Sequence, residues 1–542
     1  MRAIKLLPMV FLFSLLWTLC CSAQGVSYQQ LLQADHEPQN WYMYGGDYQS
    51  WRFSRLKSIN RQNVASLRPV WIYQRPQPGD MIEDSPVVVN GVMYIVEPPS
   101  TVTALDARTG LELWSWTPVV PKDVKCGGCY RTNRGVAVLG DMVYVGTIDD
   151  HLVALDAKSG AVRWNVHIAD NDEGYGITSA PMAIDGKIIV GPGGGEDGTR
   201  GFLDAYDAKM GNRLWRLWTV PLPGEPGSET WGGAQIMGGN AWNHGSYDPE
   251  LNLIYWGTGN PTPDFNGDAR KGDNLYTCSL LAVDPDTGKM RWYFQYSPHD
   301  THDWDGTEVP VLFNATVNGE PRKLLAVADR DGFYYVIDRG TGVFVTGAPY
   351  IHQTYAKGLD SQGHLILLPN TDPGFQPTFI YPSNNGGVDW TSPAYDPLSK
   401  LFIVSVREMG AFYAKSKLPD APLKVGTMLV MAGHGNSYLS GDDAYGAIRA
   451  LDVTTGRSVW QFRMQAPSWV APLATAGGLV FAADDEGDFF ALNSDTGKPL
   501  WHFRMGGSSV TADTRSSPIT YAVDGKQYLE IASGDAFIVF GL

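Results

Sequence analysis

The sequence predicts an all-β protein, an eight-bladed β-propeller of four-stranded antiparallel blades. Three observations carry that prediction: a hairpin phrase recurring along the chain, a composition rich in aromatics and glycine, and a strand-like ending. The 542 residues include 18 Trp, 26 Tyr and 61 Gly, a balance that suits many short strands joined by tight turns.

The phrase appears as ALDARTGLELW (104–114), ALDAKSGAVRW (154–164), AYDAKMGNRLW (205–215), AVDPDTGKMRW (282–292), ALDVTTGRSVW (450–460) and ALNSDTGKPLW (491–501). A degenerate copy, VIDRGTGVFV, occupies 336–345. Each copy ends a strand on Asp or Asn and places Gly four residues on. That is hairpin chemistry: the Asp side chain bonds the downstream backbone and Gly takes the left-handed conformation. Six copies then place Trp four residues after the Gly, on the next strand and facing the gap between sheets. Most copies start 41–54 residues apart, the span of one blade, and intervals of 77 and 114 residues imply a weak copy or an insertion. YDPELNLIYWG (247–257) and YDPLSKLFIVS (395–405) read as divergent hairpins, and with the seven copies they suggest about eight blades. The ending QYLEIASGDAFIVFGL is strand-like to its last residue, as expected where both chain ends share a blade. Helix is expected only in loops, for example near Tyr28 to Ala34.

The first 23 residues read as an export signal. Arg2 and Lys5 precede an apolar run, Leu6 to Leu19, that is too short for a membrane span. Cys21-Ser22-Ala23 then offers a cleavage point before Gln24. The expectation is a signal over 1–23 and a single propeller domain over 24–542, periplasmic or secreted, without stable membrane insertion. A net charge of −16 argues against nucleic acid or an anionic membrane as partner. The mature chain keeps Cys126, Cys129 and Cys278. In an oxidising compartment the first two can pair. CGGCYR has no His after its second Cys, so it is no covalent haem site, and no second pair completes a zinc site.

Residues that depart from the repeat are the candidates for chemistry. SPHDTHDWDG (297–306) packs three carboxylates, two imidazoles and an indole into ten residues. GPGGGEDGTRG (191–201) places Glu196, a hard-cation ligand, after three glycines. GTGNPTP (257–263) holds Asn260 between Gly and Pro. CGGCYRTNRG offers Arg134, VADRDG offers Arg330, NAWNHG offers Trp242, and YPSNNGGVDW offers Asn384, Asn385 and Trp390. No nucleophile elbow, dinucleotide fingerprint or phosphate loop occurs. The HxxH spacing of His299 and His302 suggests zinc, and a structural role is the competing reading.

Taken in order, IEDSP, TNRG, GGGEDG, GTGNP, PHDTHDWDG, ADRDG and NNGGVDW resemble the pyrroloquinoline-quinone (PQQ)-dependent alcohol dehydrogenases, eight-bladed propellers of the methanol and ethanol dehydrogenase type. The resemblance runs from NWYMYGGDYQSWRFS (40–54) to the C-terminus. It implies that Glu196 and Asn260 bind a metal beside the quinone, that Asp303 is the catalytic base, and that Arg330 bonds the quinone oxygens. Trp242 would form the floor under the cofactor. Glu83, Arg134 and Thr178 would hold its polar groups, with Asn385 and Trp469 as later contacts. Fixed guanidinium groups suit a cofactor carrying three carboxylates, and an aromatic surface suits its planar ring.

Two departures from the family pattern stand out. The family commonly has adjacent cysteines in a disulfide above the cofactor, whereas here two glycines separate Cys126 from Cys129, and only Cys129 falls at a matching position. Asp305 occupies a site where calcium-using members carry a small residue and lanthanide-type members carry Asp. With Glu196 and Asp303 it gives three carboxylates, which favours a lanthanide over calcium. The resemblance implies oxidation of a primary alcohol with a separate cytochrome c as acceptor. The alternatives are a sugar, polyol or polymeric alcohol as substrate, or a non-catalytic assembly scaffold.

Overall fold

The structure, a computed structural model, describes residues 25–542 except Pro78, 432–433, 436–443, Gln465 and 507–513. The expected signal, 1–23, lies outside the described residues. The chain is an eight-bladed propeller. Its sheets follow one another as blade 1 (87–116), blade 2 (137–167), blade 3 (182–218), blade 4 (246–295), blade 5 (311–349), blade 6 (394–464) and blade 7 (473–504). Blade 8 takes three strands from 519–541 and its fourth from Arg68–Gln74, which pairs antiparallel with Ala536–Gly541. Phe53–Ser54 adds a short parallel strand to blade 7. A five-residue helix, Tyr28–Leu32, precedes the ring. Among the described residues no helix is long and apolar enough to cross a membrane.

The repeat phrase does the predicted local work. The Asp106 carboxylate accepts from the backbone of Arg108 at 3.0 Å and Thr109 at 2.9 Å. Gly110 closes that turn at φ 74°. The Gly has a second duty that the phrase does not reveal. A Cβ on Gly160 would meet the Trp114 ring at 2.5 Å. The same indole donates from Nε1 to the Ala157 carbonyl at 3.1 Å. Trp164 makes the corresponding contacts with Gly211 and Ala208, and Trp460 with Gly497 and Ser494. These Trp side chains therefore dock on the next blade's turn, so the phrase encodes a joint between blades as well as a hairpin. Gly160→Ala is expected to cost about 2 kcal/mol or more, from left-handed strain plus overpacking against Trp114. The check is the chemical denaturation midpoint beside that of a Gly186→Ala control, whose Cβ would meet nothing within 4 Å and whose φ is also positive.

The divergent hairpins are not additional blades. Residues 246–257 and 394–408 form the first two strands of blades 4 and 6, whose last two strands already carry counted copies. The eighth blade lacks the phrase because its final hairpin is split between the chain ends. Its Trp is Trp71, and a Cβ on Gly110 of blade 1 would meet that ring at 2.5 Å. Arg52, with no exposed surface, adds a clasp near the seam by donating to the carbonyls of Tyr44, Pro472 and Pro518.

The long intervals are insertions. Residues 350–393 separate blades 5 and 6, while 258–278 and 409–444 interrupt the middle strands of blades 4 and 6. Described residues of these segments, with the 117–136 connection, line one cavity and help build the site.

Candidate active site

Glu196 sits on a short 3-10 turn, Gly195–Asp197, entered and left through Gly194 at φ 102° and Gly198 at φ 73°. A Cβ on Gly194 would meet the Gly174 carbonyl at 2.2 Å, so the glycine run lets two loops touch. Gly127 N–H donates to Asp197 at 2.6 Å, and Leu429 N–H donates to the Glu196 carbonyl at 2.6 Å. Two inserted loops thus clamp the turn that carries Glu196.

Asp303 is also held by its backbone. It adopts φ 65°, donates its N–H to Asp300 at 3.0 Å, and accepts at its carbonyl from Arg330 at 3.0 Å. Asp300 accepts from the backbone of His302, Asp303 and Trp304, so the first acid of the cluster organises the loop. His302 is buried and stacked on Trp304, 4.4 Å away, with Nε2 2.9 Å from the Thr371 carbonyl. His299 has Nδ1 3.0 Å from the Gly272 carbonyl. The two imidazoles serve separate packing roles, and the zinc reading fails.

The acidic and basic groups meet in a cavity of about 460 Å³. Glu83, Cys129, Arg134, Thr178, Glu196 and Trp242 line it, as do Asp303, Asp305, Arg330, Asn385 and Trp469. Asn384 lines it beside Asn385. Asn260 lies just behind the wall and donates from Nδ2 to Asp264 at 3.0 Å and from its backbone to Asp305 at 2.7 Å. Cys126 and Cys129 form a disulfide. A Cβ on Gly193 would lie 3.1 Å from Cys129 Sγ and 3.7 Å from Trp242 Cβ, which puts the disulfide and the indole at the same end of the cavity. Thr178 accepts from Arg134 at 2.9 Å, and Arg134 pairs with Glu83 at 2.7 Å. The Arg134 guanidinium lies 4.9 Å from the Trp242 ring and 4.8 Å from Trp390.

Sequence reasoning missed several of the groups that shape this site. Asp264, four residues after Asn260, adds its carboxylate to those of Glu196, Asp303 and Asp305 on the cavity wall. Asp389, inside the quoted NNGGVDW, bonds Arg330 Nη2 at 2.5 Å. Arg515, Phe265, Met428 and Val430 also line the cavity. The Asp-Trp pair at 389–390 was the one visible signal. The others stand in loops with no repeat phase.

Asp305 uses both oxygens, accepting from Asn260 N–H, from Trp242 Nε1 at 3.2 Å and from Arg330 at 3.0 Å. Burial, together with neighbours including Asp305 and Asp197, pushes Glu196 up to about 7. Burial followed by Asp264 raises Asp303, while burial followed by Glu196 raises Asp264. Burial opposes the charge on Arg330, yet Asp389, Asp305, Asp303 and Glu308 hold it firmly protonated.

These residues fit a flat anionic cofactor and a hard cation. Arg134 Nε and Arg330 Nε are buried without a hydrogen-bond acceptor. The indole of Trp242 and the disulfide offer surfaces for a planar ring. The carboxylates supply an oxygen-only donor set under mutual repulsion that a cation relieves. Among the described residues, no three His, Cys, Asp or Glu side chains stand close enough together to hold a metal ion without rearrangement.

Comparison with known proteins identifies the family. The family model for PQQ, described as glucose/ethanol/alcohol dehydrogenase, beta-propeller domain, matches residues 41–350. A second model, described as outer membrane protein assembly factor BamB, matches 384–541. The quinoprotein alcohol dehydrogenase PedH of Pseudomonas putida is 38% identical, covering 94% of this chain and 88% of its own. The lanthanide-dependent methanol dehydrogenase of Methylacidiphilum fumariolicum is 34% identical over 93% of this chain and 86% of its own. A solved structure of the quinohemoprotein alcohol dehydrogenase ADHIIG from Pseudomonas putida HK5 superposes with a TM-score of 0.88 at 33% identity, covering 96% of this chain and 82% of that one.

Proposed function

The chain belongs to the PQQ-dependent alcohol dehydrogenase family and is a quinoprotein alcohol dehydrogenase, and from that premise we propose that it oxidises a primary alcohol to the aldehyde in the periplasm, using a lanthanide, and passes electrons to a cytochrome c. The mature chain, 24–542, acts as one catalytic domain. The observation that carries this reading is the shared cavity in which Glu196, Asp303 and Asp305 meet Arg330 and Trp242.

In this reading Glu196, Asn260, Asp303 and Asp305 hold the cation. Glu83, Arg134, Thr178 and Asn385 hold the cofactor's polar edge, Trp242 and the Cys126–Cys129 disulfide flank its ring, and Trp469 contacts it from the side. When bound, the quinone supplies a two-electron acceptor and the cation a Lewis acid beside it. Asp303 takes the substrate hydroxyl proton on a carboxylate oxygen. Arg330 fixes the Asp303 backbone and places its guanidinium on the cavity wall. Trp242 is held in place by its bond to Asp305. The lanthanide preference rests on charge: Glu196, Asp264, Asp303 and Asp305 all face the cavity, a field better balanced by a trivalent than a divalent ion.

The assembly-factor match over 384–541 reflects the propeller repeat, and a scaffold has no use for these buried charges at the hub. The test is reconstitution with PQQ plus lanthanum or calcium, followed by dye-linked and cytochrome c-linked assays. Quinone absorbance that survives desalting, with lanthanum-loaded turnover above calcium-loaded turnover, is the expected result. Loss of the absorbance would overturn the reading.

A further inference from the structure

One wall of the cavity takes no part in the roles above. Phe265, Val430 and Met428 line it. Phe265 follows Asp264 directly, is 1% exposed, and donates its backbone N–H to the Val430 carbonyl at 3.3 Å. Val430 packs in the same apolar cluster. Two residues earlier, Met428 reaches the mouth, where it is 58% exposed. Its Cε lies 3.1 Å from the position a Cβ on Gly127 would take, so it bridges the blade 6 insertion and the disulfide loop. The three side chains run from the carboxylates outward, and none of them can donate or accept a strong hydrogen bond.

We propose that Phe265, Val430 and Met428 form the substrate-tail subsite, with Met428 as its specificity-determining residue, and that the preferred substrates are primary alcohols bearing an apolar tail of several carbons. The proposal rests on the alcohol dehydrogenase reading and selects among its substrates. A polyol or sugar entering along this wall would lose hydration at its hydroxyls without finding partners. An alkyl chain would gain about three- to fourfold in transition-state binding for each methylene buried. The unbranched thioether of Met428 adjusts to chains of different shape and makes favourable sulfur contacts with aromatic rings, so benzylic alcohols fit as well.

Two measurements separate this proposal from the activity on which it rests. The first is kcat/KM of the loaded enzyme along the 1-alkanols from ethanol to hexanol, with glycerol and glucose beside them. A rise of about three- to fourfold per carbon is expected, and Met428→Gln, similar in length but polar, should lower the hexanol-to-ethanol ratio about tenfold while Met428→Leu largely preserves it. Glycerol or glucose matching hexanol would overturn the proposal and leave the dehydrogenase intact. The second is methionine-methyl NMR, with the Met428 signal identified by its loss in Met428→Leu. That signal should shift with 1-hexanol and not with glycerol, whether or not turnover occurs. A Met428 signal indifferent to 1-hexanol would overturn the subsite even in an active enzyme.

Discussion

Asp303→Asn is expected to lower kcat by about 10²–10⁴-fold while quinone absorbance is retained, the loss typical of removing a positioned base. The variant isolates the carboxylate. Asparagine tolerates the left-handed backbone found at this position, φ 65°. It also keeps the N–H bond to Asp300 and the carbonyl bond from Arg330 that hold the loop. One unit of negative charge disappears from the cation's surroundings, so the assay belongs at saturating metal, where weakened affinity no longer limits the rate. Turnover within a few-fold of the parent would remove Asp303 from the role of base.

Asp305→Asn is expected to lower the ratio of lanthanide to calcium affinity by about 10²-fold. A unit charge 4 Å away is worth about 4 kcal/mol per unit of ionic charge at an effective dielectric of 20, and the trivalent ion carries one unit more than the divalent. The Arg330 guanidinium, 3.0 Å from Asp305, offsets part of that difference. The amide retains an oxygen for the Asn260 N–H, so the change concerns charge more than geometry. Competition between lanthanum and calcium, read by thermal shift of the cofactor-loaded protein, measures the ratio. An unchanged ratio would show that Asp305 serves Arg330 and Trp242 and leaves metal choice to other residues.

The fold was legible because one hairpin solution recurs with its Asp, Gly and Trp in fixed phase. Those residues report local turn chemistry, which depends on a few neighbours in sequence. The joint between blades was hidden, since the partner of Trp114 is the turn at Gly160, in the next copy. The eighth blade escaped for a related reason: Trp71 and its strand stand some 450 residues from the rest of their sheet. The site was legible where backbone demands left a mark, as in the glycine run before Glu196 and the acid cluster around Asp303. Asp264, Arg515 and Met428 left none. They reach the cavity from loops outside the repeat whose course depends on contacts far along the chain, such as the clamp of Leu429 on Glu196. A single sequence without repeat phase cannot encode that convergence in a readable pattern. SPHDTHDWDG shows the same limit within ten residues, since Asp300 organises, Asp303 faces the cavity and Asp305 bonds Arg330.

The seam between Arg68–Gln74 and Ala536–Gly541 has a consequence for biosynthesis. A chain leaving the ribosome presents the first half of this pairing long before the second exists. Seven blades can stack in order of emergence, but the circle stays open until the strand Ala536–Gly541 arrives. An early stop codon in that final stretch would cost far more than its length suggests, because the missing strand is the one lying between Arg68–Gln74 and Lys526–Ser533.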